Sequence, residues 1–267
     1  MSSSSTAMVT GASTGIGAVY AERLARRGHD LILVARNVAR LEERAAHLRS
    51  QTGRKVELMP ADLQQPGELL RVEQRLRDDR QIAMLVNNAG IALAGPVADA
   101  DPARLEAMVQ LNILAAIRVA VAAAAGFKAR GGGTVVNIAS VLALAPERFN
   151  AVYAASKAFV LAFTQGLDAE LRGSGVRFQA VLPGATRTAL WASAGVDVES
   201  LPPEMLMDAD DMVGAALAGL DAGELVTIPS LPDAADWDRM DAARIALGPN
   251  LSRRHPAERY LPVAAGA

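Results

Sequence analysis

The sequence contains no cysteine, and histidine is scarce as well. Without cysteine, the chain has no disulfide bond, no thiolate metal site and no cysteine nucleophile. The three histidines, His29, His47 and His255, are scattered, and no two of them are four residues apart. A zinc site built on a helical histidine pair is therefore not expected, and we predict no metal site.

An excess of charge of one sign is also lacking. The 27 basic and 29 acidic residues leave a formal net charge of −2, so no positive excess is available to hold a nucleic acid. The most apolar stretch, Ile113–Ala125, is interrupted by Arg118 and is shorter than the roughly 18 residues that a membrane span needs. The start, Met1–Thr6, is polar and does not resemble a secretory signal. We therefore expect no nucleic-acid or membrane partner and a cytoplasmic location.

The chain does contain enough apolar material for a large core. Hydrophobic residues make up 51% of the 267 residues and charged residues 21%, a balance that excludes an intrinsically disordered chain. No linker rich in glycine, proline and serine divides the sequence. We predict one domain over residues 1–267, with a disordered tip at 1–5, a substrate loop at 184–210 and a C-terminal extension at 230–267.

Short runs of valine, isoleucine and leucine alternate with segments long enough to form helices. The runs are continuously apolar, which is typical of a parallel sheet covered by helices on both faces. The pattern predicts an α/β fold, namely a single Rossmann-type, doubly wound, mostly parallel seven-stranded sheet. The predicted strands are Ala7–Thr10, Asp30–Ala35, Lys55–Pro60, Ile82–Asn87, Gly133–Ala139, Val176–Val181 and Leu225–Ile228.

Longer helical patterns occupy the middle of the chain. One spans Asp101–Arg130, and its part from Ala115 to Ala125 has almost no polar face. That part either packs under other helices of the same chain or forms a subunit interface. A second long helix is predicted over Asn150–Arg172, whereas Thr186–Leu206 has no clear period and is typical of a functional lid.

The first predicted strand leads through a glycine-rich turn, Thr10–Gly17, into a helix. Backbone N–H groups at a helix N-terminus attract anions, and glycines let a pyrophosphate approach closely. Because the spacing differs from the G-x-G-x-x-G fingerprint, an ordinary tight turn is the alternative. The second strand ends at Ala35–Arg36 and offers no acid to a ribose 2′-hydroxyl. Arg36 suits a 2′-phosphate and favours NADP(H), although a solvated arginine would give the same sequence.

Tyr153 and Lys157 form a pair that suits proton transfer. The chain has only three lysines, and residues four apart on a helix share one face. A free phenol has a pKa near 10, and a nearby ammonium group lowers it by stabilising the phenolate. We therefore expect Tyr153 to act as a general acid and base, the alternative being a surface pair with little effect on stability.

Several short motifs occur along the chain in a fixed order, namely Thr10–Gly17, Asn87-Asn88-Ala89-Gly90, Asn112, Ser140, Tyr153-Ala154-Ala155-Ser156-Lys157 and Pro183-Gly184. In order and spacing they resemble the short-chain dehydrogenase/reductase family over residues 6 to 230. The resemblance implies a catalytic set of Asn112, Ser140, Tyr153 and Lys157. Ser140 would donate to the substrate oxygen, and Asn112 would hold a water molecule that relays protons to Lys157.

The resemblance also implies which residues bind the two ligands. Asp62 and Leu63 would contact the adenine ring, Thr188 the carboxamide and Lys157 the nicotinamide ribose. The implied NADP(H)-binding residues are Gly11, Ser13, Thr14, Gly15, Ile16, Gly17, Arg36, Asp62, Leu63, Asn88, Ala89, Gly90, Tyr153, Lys157, Pro183, Gly184 and Thr188. The expected substrate-binding residues are Ser140, Leu142, Tyr153, Leu190 and Trp191, with Leu144 and Phe149 nearby, although core packing would also explain the apolar ones.

These observations predict an NADP(H)-dependent oxidoreductase that interconverts a ketone or aldehyde and an alcohol. A 3-oxoacyl-(acyl-carrier-protein) reductase is one alternative, since its acidic partner would need a basic patch. A non-catalytic NADP-binding sensor or assembly module is the other. We expect an apolar small-molecule substrate and a homodimer or homotetramer built through the two long helices. The candidate basic residues are Arg148, Arg187, Arg253, Arg254, His255 and Arg259.

Overall fold

The computed structural model of the chain describes residues 5–261, except for the side chain of Glu199. Its internal contacts divide the chain into two units, Met1–Pro229 and Ser230–Ala267. The predicted tip at 1–5 falls mostly outside the described residues. Ser5 itself is held in place, because its Oγ lies 2.9 Å from His29 Nδ1 and its carbonyl accepts from the Asp30 N–H at 3.1 Å.

The first unit is built on a seven-stranded sheet in which every paired strand is parallel. The strand order is β3-β2-β1-β4-β5-β6-β9, so the direction of winding reverses between β1 and β4. This confirms the predicted doubly wound fold, and a crevice is expected at that reversal. The strands are β1 (Thr6–Thr10), β2 (Asp30–Ala35), β3 (Val56–Pro60), β4 (Ile82–Asn87), β5 (Gly133–Ile138), β6 (Val176–Val181) and β9 (Val226–Thr227).

Helices cover both faces of this sheet. In β1, Ala7 and Val9 pack into one hydrophobic cluster and Met8 packs into the other, which explains why the strands are apolar at every position. Tyr20 and Met212 lie in the first cluster. The helices of this unit are α1 (Gly15–Arg26), α2 (Val38–Thr52), α3 (Pro66–Asp78), α4 (Pro102–Val109), α5 (Ala116–Arg130), α6 (Ala151–Glu170), α7 (Leu190–Ala194) and α8 (Ala209–Ala222).

Helices α4 and α5 join through one turn of π-helix, Gln110–Ala115, into a continuous helix of 29 residues. By length and composition alone this helix could cross a membrane, so the expectation that no segment reaches that length is wrong. The apolar pattern extends before Ile113 through Met108 and Leu111, both of which are buried. Half of the apolar window is buried in the fold. The cytoplasmic location stays a prediction.

The segment predicted to be irregular, Thr186–Leu206, contains short elements of structure. Strand β7 (Thr186–Arg187) pairs in parallel with β8 (Met207–Asp208), outside the main sheet. Helix α7 lies between them in the chain, followed by 3₁₀ turns at Val198–Ser200 and Pro203–Met205. Such short elements give no recognisable period in sequence.

The second unit carries α9 (Ala234–Ala246) and 3₁₀ turns at Gly248–Asn250 and Glu258–Tyr260. The Asp233 side chain caps α9 by accepting from the Ala235 N–H at 2.9 Å. The predicted division into one domain with a C-terminal extension from 230 stays a prediction.

Candidate active site and cofactor cleft

The glycine-rich turn lies at the carboxyl end of β1, where the strand order reverses. Gly11 and Gly15 have φ angles of 66° and 56°, a region that side chains with a Cβ rarely adopt. A Cβ on Gly11 would lie 2.7 Å from Asn88 Nδ2, and one on Gly17 would lie 2.5 Å from the same atom and collide with the Gly11 carbonyl. The three glycines are therefore required by backbone shape and by close packing.

Side chains from β1 and β4 hold this turn in place. Thr10 Oγ1 accepts from the N–H groups of Asn88 and Ala89 at 3.0 and 3.1 Å. Asn88 Nδ2 donates in return to the carbonyls of Thr10 and Gly11 at 3.0 and 3.3 Å. Asn87 anchors the next strand, since its Nδ2 donates to Asn137 Oδ1 at 3.0 Å. Asn87 and Asn88 therefore tie the glycine-rich turn to the central sheet.

A cleft of about 450 Å³ extends from the turn across the carboxyl ends of β1, β2 and β4. Asp62 and Leu63 lie on its wall, and Asp62 Oδ1 accepts from the Gln64 N–H at 3.0 Å. Gly17 lies behind the turn and does not line the cleft. The predicted residues that do line it are Gly11, Ser13, Thr14, Gly15, Ile16, Arg36, Asp62, Leu63, Asn88, Ala89, Gly90 and Thr188.

Two arginines stand at one side of this cleft. Arg36, predicted from the end of β2, is exposed and lines it, and so does Arg40, one helical turn further along. Asn37 lies between them and caps α2 by accepting from the Arg40 N–H at 3.0 Å. Sequence reasoning missed Arg40, which lies in the first turn of α2, whereas Arg36 precedes the helix. Paired guanidinium groups beside a glycine-rich turn can hold a phosphate monoester.

Tyr153, Lys157 and Ser140 meet in a second, more apolar cavity of about 310 Å³. Asn150 starts α6 by accepting from the N–H groups of Val152 and Tyr153 at 3.1 and 3.2 Å, which fixes the orientation of the helix. Ser140 follows β5, and its Oγ lies 3.4 Å from the Pro183 carbonyl. Pro183 and Gly184 also line this cavity. The structure therefore brings Ser140 next to Pro183, which is 43 positions further along the chain.

The electrostatics of the pair differ from the sequence-based expectation. Burial raises the pKa of the Tyr153 phenol from 10.0 to about 12, and a hydrogen bond with the Ser140 hydroxyl lowers it in part. Burial lowers the pKa of the Lys157 ammonium group from 10.5 to about 8. Lys157 Nζ donates to the Ile138 carbonyl at 2.9 Å and lies 5.7 Å from the centroid of the Tyr153 ring. The predicted lowering of the Tyr153 pKa by Lys157 is thus wrong for the polypeptide alone, because desolvation dominates.

Asn112 lies in the π-helical turn and is almost completely buried. Its Oδ1 accepts from the Ile91 N–H at 2.9 Å, and its Nδ2 donates to the Ile91 carbonyl at 2.8 Å and to Ser156 Oγ at 3.3 Å. The Asn112 side chain therefore fixes the segment after β4 at Ile91 and also contacts α6 at Ser156. The water relay from Asn112 to Lys157 stays a prediction.

Aromatic side chains form one wall of the second cavity. Phe149 packs edge-on against both Tyr153 and Trp191, with ring centroids 5.6 and 6.2 Å apart. Trp191 is fixed by its Nε1, which donates to the Thr186 carbonyl at 2.7 Å. All five predicted substrate-binding residues, namely Ser140, Leu142, Tyr153, Leu190 and Trp191, line this cavity.

Sequence reasoning both missed residues of this cavity and included residues outside it. Leu201 and Met205 line it, although they come from the aperiodic segment and gave no signal. Leu144, expected nearby, does not line it. Of the six candidate basic residues, Arg148 lines the cavity, whereas Arg187 lies outside its lining and is paired with Asp208 at 3.1 Å.

Within residues 5–261, no group of three or more histidine, aspartate or glutamate side chains could hold a metal ion. The second cavity presents the hydroxyl groups of Ser140 and Tyr153 and the ammonium group of Lys157. These groups can donate hydrogen bonds to an oxygen and transfer a proton to it.

Comparisons with known proteins agree with this arrangement. The short chain dehydrogenase family matches residues 5–198. A short-chain dehydrogenase from Sphingobium yanoikuyae, solved in complex with NADPH, is 49% identical and superposes with a TM-score of 0.93, covering 96% of this chain and 100% of its own. A bulky-bulky ketone specific alcohol dehydrogenase from Comamonas testosteroni is 45% identical, with a TM-score of 0.89 and coverage of 97% and 99%.

A curated relative supports the same family. An uncharacterized oxidoreductase of Staphylococcus saprophyticus is 35% identical over 185 residues, which cover 69% of this chain and 79% of the relative. Three observations agree. The family matches most of the first unit, the main sheet is parallel, and Ser140, Tyr153 and Lys157 line one cavity. The chain is an oxidoreductase of the short-chain dehydrogenase/reductase family.

Proposed function

We propose that this chain is an NADP(H)-dependent oxidoreductase that interconverts a bulky, apolar ketone and its secondary alcohol. One observation carries the proposal: the apolar cavity containing Ser140, Tyr153 and Lys157 adjoins the glycine-rich cleft. The two cavities share lining residues, namely Ile16, Asn88, Gly90, Ile91, Thr188 and Leu190. A ligand in the first cavity and a carbonyl compound in the second would therefore lie side by side.

The cleft fits a dinucleotide phosphate. Gly11 and Gly15 give its turn backbone angles that residues with a Cβ rarely adopt. Arg36 and Arg40 provide positive charge near the end of β2, where Ala35 stands and no acid is present. An acid at that point would repel a 2′-phosphate, whereas guanidinium groups bind it through charge-assisted hydrogen bonds. The relative from Sphingobium yanoikuyae was solved in complex with NADPH, which supports the same choice. NADP(H) supplies the hydride chemistry when it is bound.

The chain's own residues supply and position the proton. With its pKa raised to about 12, the Tyr153 phenol keeps its proton at neutral pH and can donate it to the oxygen of a ketone as that oxygen becomes an alkoxide. Ser140 donates a hydrogen bond to the same oxygen and so stabilises the developing charge. Lys157 is held by the Ile138 carbonyl, which places its ammonium group near the Tyr153 ring. The positive charge stabilises the phenolate that forms when the proton leaves.

The shape of the second cavity favours a bulky, apolar substrate. Phe149 and Trp191 make a fixed aromatic wall, and Leu142, Leu201 and Met205 add flexible apolar surface. Charged groups are few among the lining residues, Arg148 and Lys157 being the two. The relative from Comamonas testosteroni is specific for ketones with two bulky substituents, which supports this substrate class.

The proposal includes a homodimer or homotetramer through the two long helices. Most of the stretch Ala115–Ala125 is buried within its own unit. Packing inside the same chain, one of the two alternatives that the sequence leaves open, therefore describes most of it. Leu114 and Val121 nevertheless remain exposed on one face of that helix. A second copy could cover this face. Light scattering that gives the mass of a monomer would contradict this part.

The substrate class can be tested on the purified full chain. We expect NADPH absorbance at 340 nm to fall in the presence of aryl ketones with two large substituents, more slowly with acetone, and far more slowly with NADH. Turnover confined to a 3-oxoacyl-(acyl-carrier-protein) would contradict the proposed substrate and favour that alternative. Binding of NADPH with no turnover on any carbonyl compound would favour the sensor or assembly module.

A further inference from the structure

Asn150 is a buried polar residue that makes one contact more than a helix cap needs. It lies just before α6 and is 4% exposed. Its Oδ1 accepts from the N–H groups of Val152 and Tyr153 at 3.1 and 3.2 Å, and its Nδ2 donates to the Gly95 carbonyl at 3.0 Å. Serine, threonine or aspartate would also cap the helix, so the donor is what asparagine adds.

The residues that follow β4, 91–96, lie beside Tyr153, and we call them the bridging segment. Ile91 and Ala92 of this segment line the second cavity. Leu93 is buried in the same hydrophobic cluster as Tyr153. The position of the bridging segment therefore affects both the shape of the cavity and the packing of the phenol.

The bridging segment also contacts α7, the short helix that carries Trp191 in the second cavity. The Ala94 N–H donates to the carbonyl of Ala194, the last residue of α7, at 3.1 Å. The next residue, Gly95, accepts from Asn150. Two adjacent residues therefore connect the helix that holds Trp191 to the residue that starts α6.

The backbone at Gly95 is shaped for this contact. Its φ angle is 87°, a region that residues with a Cβ rarely adopt. A Cβ on Gly95 would meet no atom of the described chain within 4 Å. Glycine is therefore needed here for its backbone angle and not for space. This angle turns the chain so that the Gly95 carbonyl reaches Asn150.

We propose that Asn150 is a positioning residue that sets the spacing between the Tyr153 phenol and the α7 wall of the second cavity. Its carbonyl oxygen fixes the first turn of α6, which carries Tyr153. Its amide group holds the bridging segment, to which α7 is bonded. All of these contacts lie within the first unit. The kinetic part of the proposal rests on the proposed function, because it is measured with bulky ketones.

Two substitutions at position 150 separate these roles. Asn150→Ser keeps an oxygen that caps α6 but lacks the amide that reaches Gly95. We expect KM for a bulky aryl ketone to rise about threefold to tenfold, the value of one hydrogen bond, with kcat within about twofold of the unchanged chain. Asn150→Ala removes the cap as well, so kcat should also fall by about tenfold or more as the phenol moves. NADPH affinity should stay the same in both variants, since Asn150 does not line the cleft.

Gly95→Ala tests the same hydrogen bond from its other side. The strained backbone should move the carbonyl away from Asn150, so KM should rise as in Asn150→Ser. The double variant should show the rise of one single variant and not the product of the two, because both substitutions remove one contact. The matched control is Gly173→Ala in the turn after α6, where φ is 81° and a Cβ also meets no described atom within 4 Å. This control should leave KM unchanged.

A second measurement needs neither ketone nor NADPH. The chain has two tryptophans, so Trp237→Phe leaves Trp191 as the only indole. In this background we expect the acrylamide quenching constant of Trp191 to rise about twofold in Asn150→Ser and in Gly95→Ala, and to stay unchanged in Gly173→Ala. A rise in quenching without ketone turnover would support the positioning role and contradict the proposed function alone.

Unchanged quenching in Asn150→Ser would overturn the proposal. So would KM effects that multiply in the double variant, or a loss of kcat in Asn150→Ser as large as that in Asn150→Ala. If Asn150→Ala does not fold, Asn150→Ser and Gly95→Ala decide the proposal on their own.

Discussion

The cofactor cleft and the substrate cavity are neighbours, but they are built in different ways. The cleft is formed largely by backbone and small residues at the ends of adjacent strands, such as Gly11, Gly17 and Asn88. The cavity is walled by large side chains from distant segments, such as Phe149, Trp191 and Met205. The first therefore tolerates little change, whereas the second can be reshaped by single substitutions. This difference predicts the size of each mutational effect.

The largest expected effect is that of pH on the two directions of the reaction. Alcohol oxidation needs the Tyr153 phenolate, and a pKa of about 12 makes that form rare at neutral pH. The rate of oxidation should therefore rise about tenfold for each pH unit from 5 to 8, the range below the pKa of about 8 at which Lys157 loses its charge, while ketone reduction changes little over the same range. Initial rates in both directions measure this. An oxidation rate that is already level above pH 7 would mean that bound ligand or Lys157 acidifies the phenol, as the sequence suggests.

A large effect is also expected from Gly17→Ala in the glycine-rich turn. The added Cβ meets the Gly11 carbonyl and Asn88, so the turn must distort. Overpacking costs about 1–3 kcal/mol, which corresponds to NADPH binding that is weaker by up to about a hundredfold. Calorimetric titration with NADPH measures this. The matched control is Gly214→Ala on α8, where a Cβ meets nothing within 4 Å, and binding there should be unchanged.

An intermediate effect is expected from the two arginines of the cleft. Arg36→Ala should weaken NADPH binding by about tenfold or more through loss of charge-assisted hydrogen bonds, and NADH binding much less. Arg40→Ala should also weaken NADPH binding more than NADH binding. The effect should be smaller, because the Arg40 side chain starts four residues further from the end of β2. Dissociation constants for both nucleotides decide this. Equal losses for NADPH and NADH would show that these arginines do not recognise a 2′-phosphate.

The smallest effect is expected in the substrate cavity. Trp191→Ala removes one aromatic wall, so kcat/KM for large apolar ketones relative to small ones should fall by about tenfold, the amount that one apolar contact provides. NADPH affinity should stay the same, since Trp191 does not line the cleft. Leu144→Ala is the matched control, because Leu144 lies outside the cavity lining, and it should leave the ratio unchanged. An unchanged ratio in Trp191→Ala would remove this residue from substrate selection.

The parts of the site that sequence predicts well are those with fixed local spacing. The turn from Thr10 to Gly17 joins one strand directly to the next helix. Tyr153 and Lys157 are one helical turn apart on α6. Their chemistry therefore follows from positions that are close in the chain. Strand β2 is predicted with the bounds that the structure has, Asp30–Ala35, because continuous apolar runs mark buried parallel strands.

The remaining features depend on the fold as a whole. Leu201 and Met205 enter the cavity only because the chain after β7 returns over it, which no periodicity reveals. Burial reverses the predicted direction of the Tyr153 pKa, and burial is a property of the packed molecule. The engagement of Asn112 by Ile91 likewise needs two segments 21 positions apart to meet.

The most direct test of the account is the full-length Tyr153→Phe variant, compared with the unchanged chain at saturating NADPH. The substitution removes the phenolic hydroxyl and retains the ring, so the edge-on packing of Phe149 should persist. We predict unchanged NADPH affinity and a loss of ketone-dependent NADPH oxidation of about a hundredfold or more, as expected for removal of a general acid. Turnover close to that of the unchanged chain would contradict the role of Tyr153 as the proton donor.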